Sequence, residues 1–376
     1  MISSAFKHSL WSGSAVVFLF CEMSSPVVFS QEPANSNRKS DRVAVSADLE
    51  SFYSKTESAS TVADYTSILD FCRNVAGDRT RSREDREYAR SLMSWAANRR
   101  GEARSDQAGM MVRNQQLTEA ENLDALARKD FENAIQLDNT RWRAHHNLAI
   151  TQAVQGETQA ALDSFAQVIR LNPEYPNAYF NRGEILFRAN QYEAALLDYE
   201  KGIQLAPDDS SAFSGRAHTL YALGKTKEAL ADYAKAMELA PQSVDAATEY
   251  ADTCQALGNW KDAATAYQKA MQLDGKNARL LQNAAWMMAT CPDDFYRNGS
   301  SALETAQLAV RVASAPASAQ VLDVLAAAQA TAGDFASAQS TVAEALRSTT
   351  DPVLRSELQM RGKLYQRKKV YVQPKR

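Results

Sequence analysis

The chain has 376 residues, 42 Lys plus Arg against 45 Asp plus Glu, and a formal net charge of −3. Its hydrophobic fraction of 45% excludes wholesale disorder, its balanced charge argues against a dedicated nucleic-acid binder, which would need a basic face, and no apolar run approaches the ~20 residues needed to cross a bilayer. Four cysteines in this length exclude a disulfide scaffold.

Residues 1–30 read as a secretory signal peptide. Lys7 and His8 precede the apolar stretch Ala15-Val16-Val17-Phe18-Leu19-Phe20-Cys21, and Ser30 is a small residue at the exit. This predicts an exported protein of the periplasm or cell envelope; the alternatives are a disordered tail or a start at Met23, and with them a cytoplasmic chain. Residues 31–47, rich in Ser, Asn and charge, read as a disordered linker. Residues 48–107 are predicted to form an N-terminal helical cap. Short helices gather around Phe52, Tyr65, Ile68, Leu69 and Phe71, and Ser82-Arg83-Glu84-Asp85 opens a long helix in the pattern of a capping box, running past Trp95 to about Arg104.

From residue 108 the chain repeats with a period of 34. Pro173, Pro207 and Pro241 stand at that interval. An aromatic recurs at Phe131, Phe165, Tyr199, Tyr233 and Tyr267, and an alanine at Ala127, Ala161, Ala195, Ala229 and Ala263. Each period predicts two antiparallel helices. Ala149, Gly183, Ala217 and Ala251 let the partner helix approach closely. Gly156, Asn190, Gly224, Gly258 and Gly333 supply the left-handed residue that closes the first helix, and the prolines stop the second. The units of this array, 108–352, are 108–141 (matching in its second helix only), 142–175, 176–209, 210–243, 244–277, an irregular 278–318 split by an inserted loop, and 319–352. No unit buries its apolar face alone, so stacking must supply the core. Residues 353–376 then read as a capping helix with Leu354, Leu358 and Leu364 turned inward. A basic tail accompanies it, made of Arg355, Arg361, Lys363, Arg367, Lys368, Lys369, Lys375 and Arg376.

The pattern resembles the tetratricopeptide repeat (TPR) over most of residues 84–352, and exported bacterial arrays of that family in particular. The resemblance implies an all-α, right-handed solenoid superhelix of about six helix–turn–helix units with caps at both ends. In this family the first helices line a concave groove that holds a partner's peptide or helix. The positions so implied are Arg143, His146, Asn147, Asn181, Glu184, Arg188, His218, Tyr221, Asp252 and Gln255, with Phe180, Phe187, Ser214 and Thr248 between them. Asn147 and Asn181 match one element of the carboxylate clamp of chaperone-type arrays, but its lysines are missing. Residues 283–299 resemble a block near the end of many bacterial arrays.

Catalytic motifs are not found: there is no glycine-rich phosphate loop, HExxH or GxSxG. His145 and His146 project about 100° apart and His218 lies two units on, which is not the spacing of a metal site. Cys254 and Cys291 read as small buried thiols, with a disulfide as the alternative. Residues 290–299 read as a structural plug, with a binding role for Phe295, Tyr296 and Arg297 as the alternative. The expectation is a non-enzymatic scaffold for a protein or peptide partner, with no cofactor, metal, nucleic acid or transmembrane segment. The alternative is an architectural envelope protein that associates with itself.

Overall fold

The computed structural model describes residues 46–313 and 317–374. The predicted signal, all but the end of the predicted linker, and the cations Lys375 and Arg376 lie outside these residues. Among the described residues every regular element is an α-helix, seventeen in all. The chain divides into two compact units, one ending at Ala206 and the other starting at Pro207.

The first unit contains α1 (Ala47–Thr56), α2 (Val62–Gly77), α3 (Arg83–Arg113), α4 (Leu117–Leu137), α5 (Trp142–Val154), α6 (Thr158–Leu171), α7 (Pro176–Arg188) and α8 (Tyr192–Leu205). The predicted cap is present as α1–α3, packed around Leu49, Tyr65, Ile68, Leu69 and Leu92. A reciprocal capping box, Thr61 with Asp64, opens α2. At the start of α3 only half of the expected box forms. Ser82 Oγ accepts from the Asp85 amide at 3.0 Å, while the Asp85 carboxylate accepts from the Ser46 amide at 2.9 Å and ties the linker's end to this helix.

The long helix extends to Arg113, beyond the expected Arg104, so the predicted boundary between residues 107 and 108 falls inside α3. Only Gly109 interrupts the helix-forming residues there, and nothing packs against it. The turn into α4 is instead made by Gln115, left-handed at φ 62°, a residue type that carries no turn signal. Where α3 crosses α4 the contact is close: a Cβ on Gly101 would stand 2.4 Å from Phe131 Cε1.

The second unit contains α9 (Ser210–Ala222), α10 (Thr226–Leu239), α11 (Val244–Ala256), α12 (Trp260–Leu273), α13 (Ala278–Thr290), α14 (Gly299–Val312), α15 (Ala319–Thr331), α16 (Phe335–Ser348) and α17 (Pro352–Gln366). Helices pack pairwise as hairpins, and each later first helix leans on the second helix before it.

Five hairpins close in the same way. Gly156, Asn190, Gly224, Gly258 and Gly333 have φ of 78°, 59°, 78°, 76° and 92°. The amide after each reaches back to a helix carbonyl, as in Glu157 to Gln152 at 2.8 Å and Lys225 to Leu220 at 2.9 Å. This is the Schellman arrangement, which satisfies carbonyls that a helix end leaves without partners. The second helices α6, α8 and α10 end two residues ahead of Pro173, Pro207 and Pro241. Phe131, Phe165, Tyr199, Tyr233 and Tyr267 are all buried, as are the recurring alanines.

Two cations of the basic tail are taken up in packing, while Lys363, Arg367, Lys368 and Lys369 are exposed as its composition suggests. Arg361 is 2% exposed and bonds both oxygens of Asp323 on α15 at 2.9 and 2.7 Å. Arg355 donates to the carbonyls of Leu346 and Thr349 at the end of α16, at 2.6 and 2.9 Å. A guanidinium suits both tasks, because its planar fork serves a carboxylate or two carbonyls at once.

Candidate interaction surface

In the first unit, side chains of α3, α5 and α7 meet across neighbouring helices. Asn147 on α5 donates to Asn98 Oδ1 at 3.0 Å and Glu102 Oε1 at 2.9 Å, both on α3. Asn181 on α7 lies 3.3 Å from His146 Nε2 on α5. If the amide donates, that nitrogen accepts and the neutral ring carries its proton on Nδ1. His146 is buried between Phe165 and Tyr175, with ring centroids at 5.7 and 5.3 Å. Burial drives its pKa down to about 4, and the Arg143 charge adds to the effect. It is therefore a neutral strut, not an inner-face contact. Arg143 lies over the Trp142 ring at 4.5 Å. Glu184 accepts from Arg188 at 2.7 Å and from the Tyr199 hydroxyl at 3.1 Å. Of the residues expected here, Arg143, Asn147, Asn181, Glu184 and Arg188 keep partial exposure.

The second unit has a corresponding network on α9, α11 and α13. His218 faces Glu249 at 3.3 Å. Burial works against the Glu249 charge, yet His218 and Arg279 hold its pKa below the ordinary value. Asp252 accepts from the Tyr267 hydroxyl at 2.5 Å and from Asn283 at 3.0 and 2.9 Å. Burial pushes this carboxyl up to about 6 against the pull of Arg279, Tyr267 and Asn283. Gln255 accepts from the same hydroxyl at 3.1 Å. Asp252 and Gln255 are each 2% exposed, which corrects their placement on an open inner wall. The next first helix covers that position, and Tyr267 draws both side chains inward. His218 and Tyr221 remain partly exposed.

Cys72, Cys254 and Cys291 are all free and buried. Burial pushes the thiols of Cys72 and Cys254 up to about 12 and about 11. The loop after α13 is anchored by Arg297, which donates to the Cys291 carbonyl at 2.5 Å, and by the Asn298 amide on Met288 O at 2.9 Å. Its tip, Phe295, is 84% exposed. Among the described residues, no group of three or more His, Cys, Asp and Glu side chains is placed to hold a metal, and no helix is long and apolar enough to cross a membrane.

Two features escaped the sequence reading. Arg182 pairs with Asp198, and Arg216 with Asp232, in the same geometry; the 34-residue spacing of both partners was the available signal. Arg279 and Asn283, which complete the second network, stand four periods after Arg143 and Asn147, so the 34-residue spacing was the available signal here too.

Residues 146–210 match the family model described as tetratricopeptide repeat, and residues 188–270 match that of the anaphase-promoting complex, cyclosome, subunit 3. A stretch of 92 residues, 24% of the chain, is 30% identical to a tetratricopeptide repeat and J domain-containing co-chaperone, DNJ1, of Cryptococcus neoformans. The chain spans 18% of that protein's length. Among solved structures, PilF of Pseudomonas aeruginosa aligns at 18% identity over 61% of this chain and 96% of its own, with a TM-score of 0.49. A tetratricopeptide repeat protein of Parabacteroides merdae aligns at 18% identity over 71% and 98%, with a TM-score of 0.48.

Proposed function

The chain is a tetratricopeptide-repeat protein, and on that premise we propose that it is a non-enzymatic scaffold that holds an extended segment or helix of a protein partner against its first helices. One observation carries the reading: polar side chains on successive first helices bond to one another, as Asn147 does to Asn98 and Glu102. Such bonds fix the side chains before a partner arrives, so that less freedom is lost on binding. Arg143 and Arg188 stand beside this network with cationic heads, and Glu184 supplies an acceptor, a mixed surface suited to a polar peptide.

The test is a pull-down from the native cell with Arg143→Glu and Arg188→Glu, against a control of Glu200→Lys and Lys201→Glu on α8. Loss of a partner from the first variant alone supports the surface; retention of every partner removes it. The leader pattern of residues 1–30 supports export to the periplasm or envelope. N-terminal sequencing of the cellular protein tests this, since a retained Met1 in a cytosolic fraction overturns it.

A further inference from the structure

After α17 the chain reverses through Lys368, left-handed at φ 53°, with the Lys369 amide on Leu364 O at 2.9 Å. A lysine in that conformation is strained relative to glycine. Residues 370–374 then lie along α13. From Tyr371 onward exposure alternates down this strap: Tyr371 and Gln373 are partly buried, while Val372 and Pro374 are exposed, and Val370 ahead of them is partly buried too. That alternation is what an extended segment shows when one edge rests on a surface.

Its contacts are those of a bound peptide. The Tyr371 ring tilts against Trp286 with centroids 5.8 Å apart. The Arg361 guanidinium, held by Asp323, lies 5.3 Å from each of those rings. The Gln373 amide donates to Thr290 O at 2.8 Å, and its side chain donates to Thr290 Oγ1 at 2.7 Å. Thr290 is the last residue of α13, so its carbonyl is one that the helix leaves without an internal partner. One register earlier in the repeat, the place of Trp286 is taken by the buried Asp252. The aromatic floor is a feature of this helix.

We propose that Trp286, Thr290 and Arg361 form a binding site for an extended peptide bearing an aromatic side chain and, two residues later, a glutamine, and that residues 370–374 fill it in cis as a displaceable ligand. A partner segment of the same chemistry exchanges with the strap. The inference rests on reading the first helices as a partner surface, and it names the peptide that one of them accepts. A tethered strap competes at the high effective concentration of an intramolecular ligand, so its loosening should open the site.

The experiment uses the full chain, native and with Tyr371→Ala plus Gln373→Ala, and a fluorescein-labelled peptide of residues 366–376 as the probe. Anisotropy should show the peptide binding the double variant at least about tenfold more tightly than the native chain. Trp286→Ala in the variant background should reverse that gain. Thr290→Val, which removes the acceptor hydroxyl but keeps the shape, should weaken binding if Trp286→Ala loses helicity. Equal binding to native and double-variant chains, or binding that survives both Trp286→Ala and Thr290→Val, overturns the proposal. The assay involves no cellular partner, and the pull-down reads Arg143 and Arg188 in the other unit, so failure of one leaves the other standing.

Discussion

Arg182 on α7 grips Asp198 on α8 through two hydrogen bonds of 2.7 and 2.6 Å. Asp198 is 6% exposed, so the pair sits where a lone carboxylate has little access to water. Arg216 and Asp232 repeat the arrangement in the second unit, with both bonds at 2.7 Å. Each pair pins the two helices of one hairpin at a fixed register.

Removing one partner should therefore cost more than removing both. Arg182→Ala is expected to destabilise the first unit by about 1–3 kcal/mol, because it strands a buried acceptor. Arg182→Lys should not restore it, since an ammonium lacks the fork that meets both oxygens. Arg182→Met with Asp198→Leu should lose less than Arg182→Ala alone. Urea unfolding of the three variants measures this, and a double variant weaker than the single one contradicts it.

Glycine substitutions should sort by backbone angle. Gly224 and Gly258 are left-handed at φ 78° and 76°, where a Cβ costs about 1–2 kcal/mol. Gly224→Ala and Gly258→Ala should each lower the melting temperature. Gly109 lies within α3 with nothing near its missing Cβ, so Gly109→Ala should raise stability by about 0.5–1 kcal/mol. Thermal unfolding distinguishes the two groups by the sign of the shift.

Gly202 is a different case, because its backbone is helical and the constraint is space. An added Cβ would stand 2.2 Å from Phe180 Cε1. The gain in helix propensity, about 1 kcal/mol, should be outweighed by an overpacking cost of about 1–3 kcal/mol. Phe180→Leu introduced together with Gly202→Ala should recover much of the loss. Equal stability of Gly202→Ala and native chains would contradict the close contact.

His146 should make the chain acid-sensitive. Its folded pKa is about 4, lowered by burial, whereas an imidazole in the unfolded chain titrates near 6.5. Between those values the unfolded chain binds a proton that the folded chain refuses, so stability falls as pH falls from 6.5 to 4. The limit is on the order of 3 kcal/mol. Asp252 and Asp323, both raised to about 6 by burial, act with the opposite sign in much of the same window. The comparison with His146→Gln isolates the histidine: native and variant stabilities should converge as the pH drops from 7 to 4.5. A constant difference between them at every pH would refute the assignment.

The period of 34 residues was enough to specify helical hairpins, their turns and their recurring aromatic core. Those features are local or repeat at a fixed spacing: a left-handed glycine or asparagine, a helix-stopping proline, an alanine under a tyrosine. Gln115 shows where this fails, since a non-glycine residue made the turn and α3 ran through a predicted boundary.

What only the tertiary structure decided was the fate of the charged and polar side chains. Asp252 and Gln255 share a register with partly exposed residues in neighbouring units, yet Tyr267 and Asn283 draw them into the interior. Arg361 reads as one cation of a solvated tail until Asp323, 38 residues away in the chain, appears beside it. Apolar positions are dictated by the period because burial is non-directional and every unit buries the same face. A charged group is buried only when a particular partner stands within hydrogen-bond reach, and that partner is chosen by how the helices meet in space.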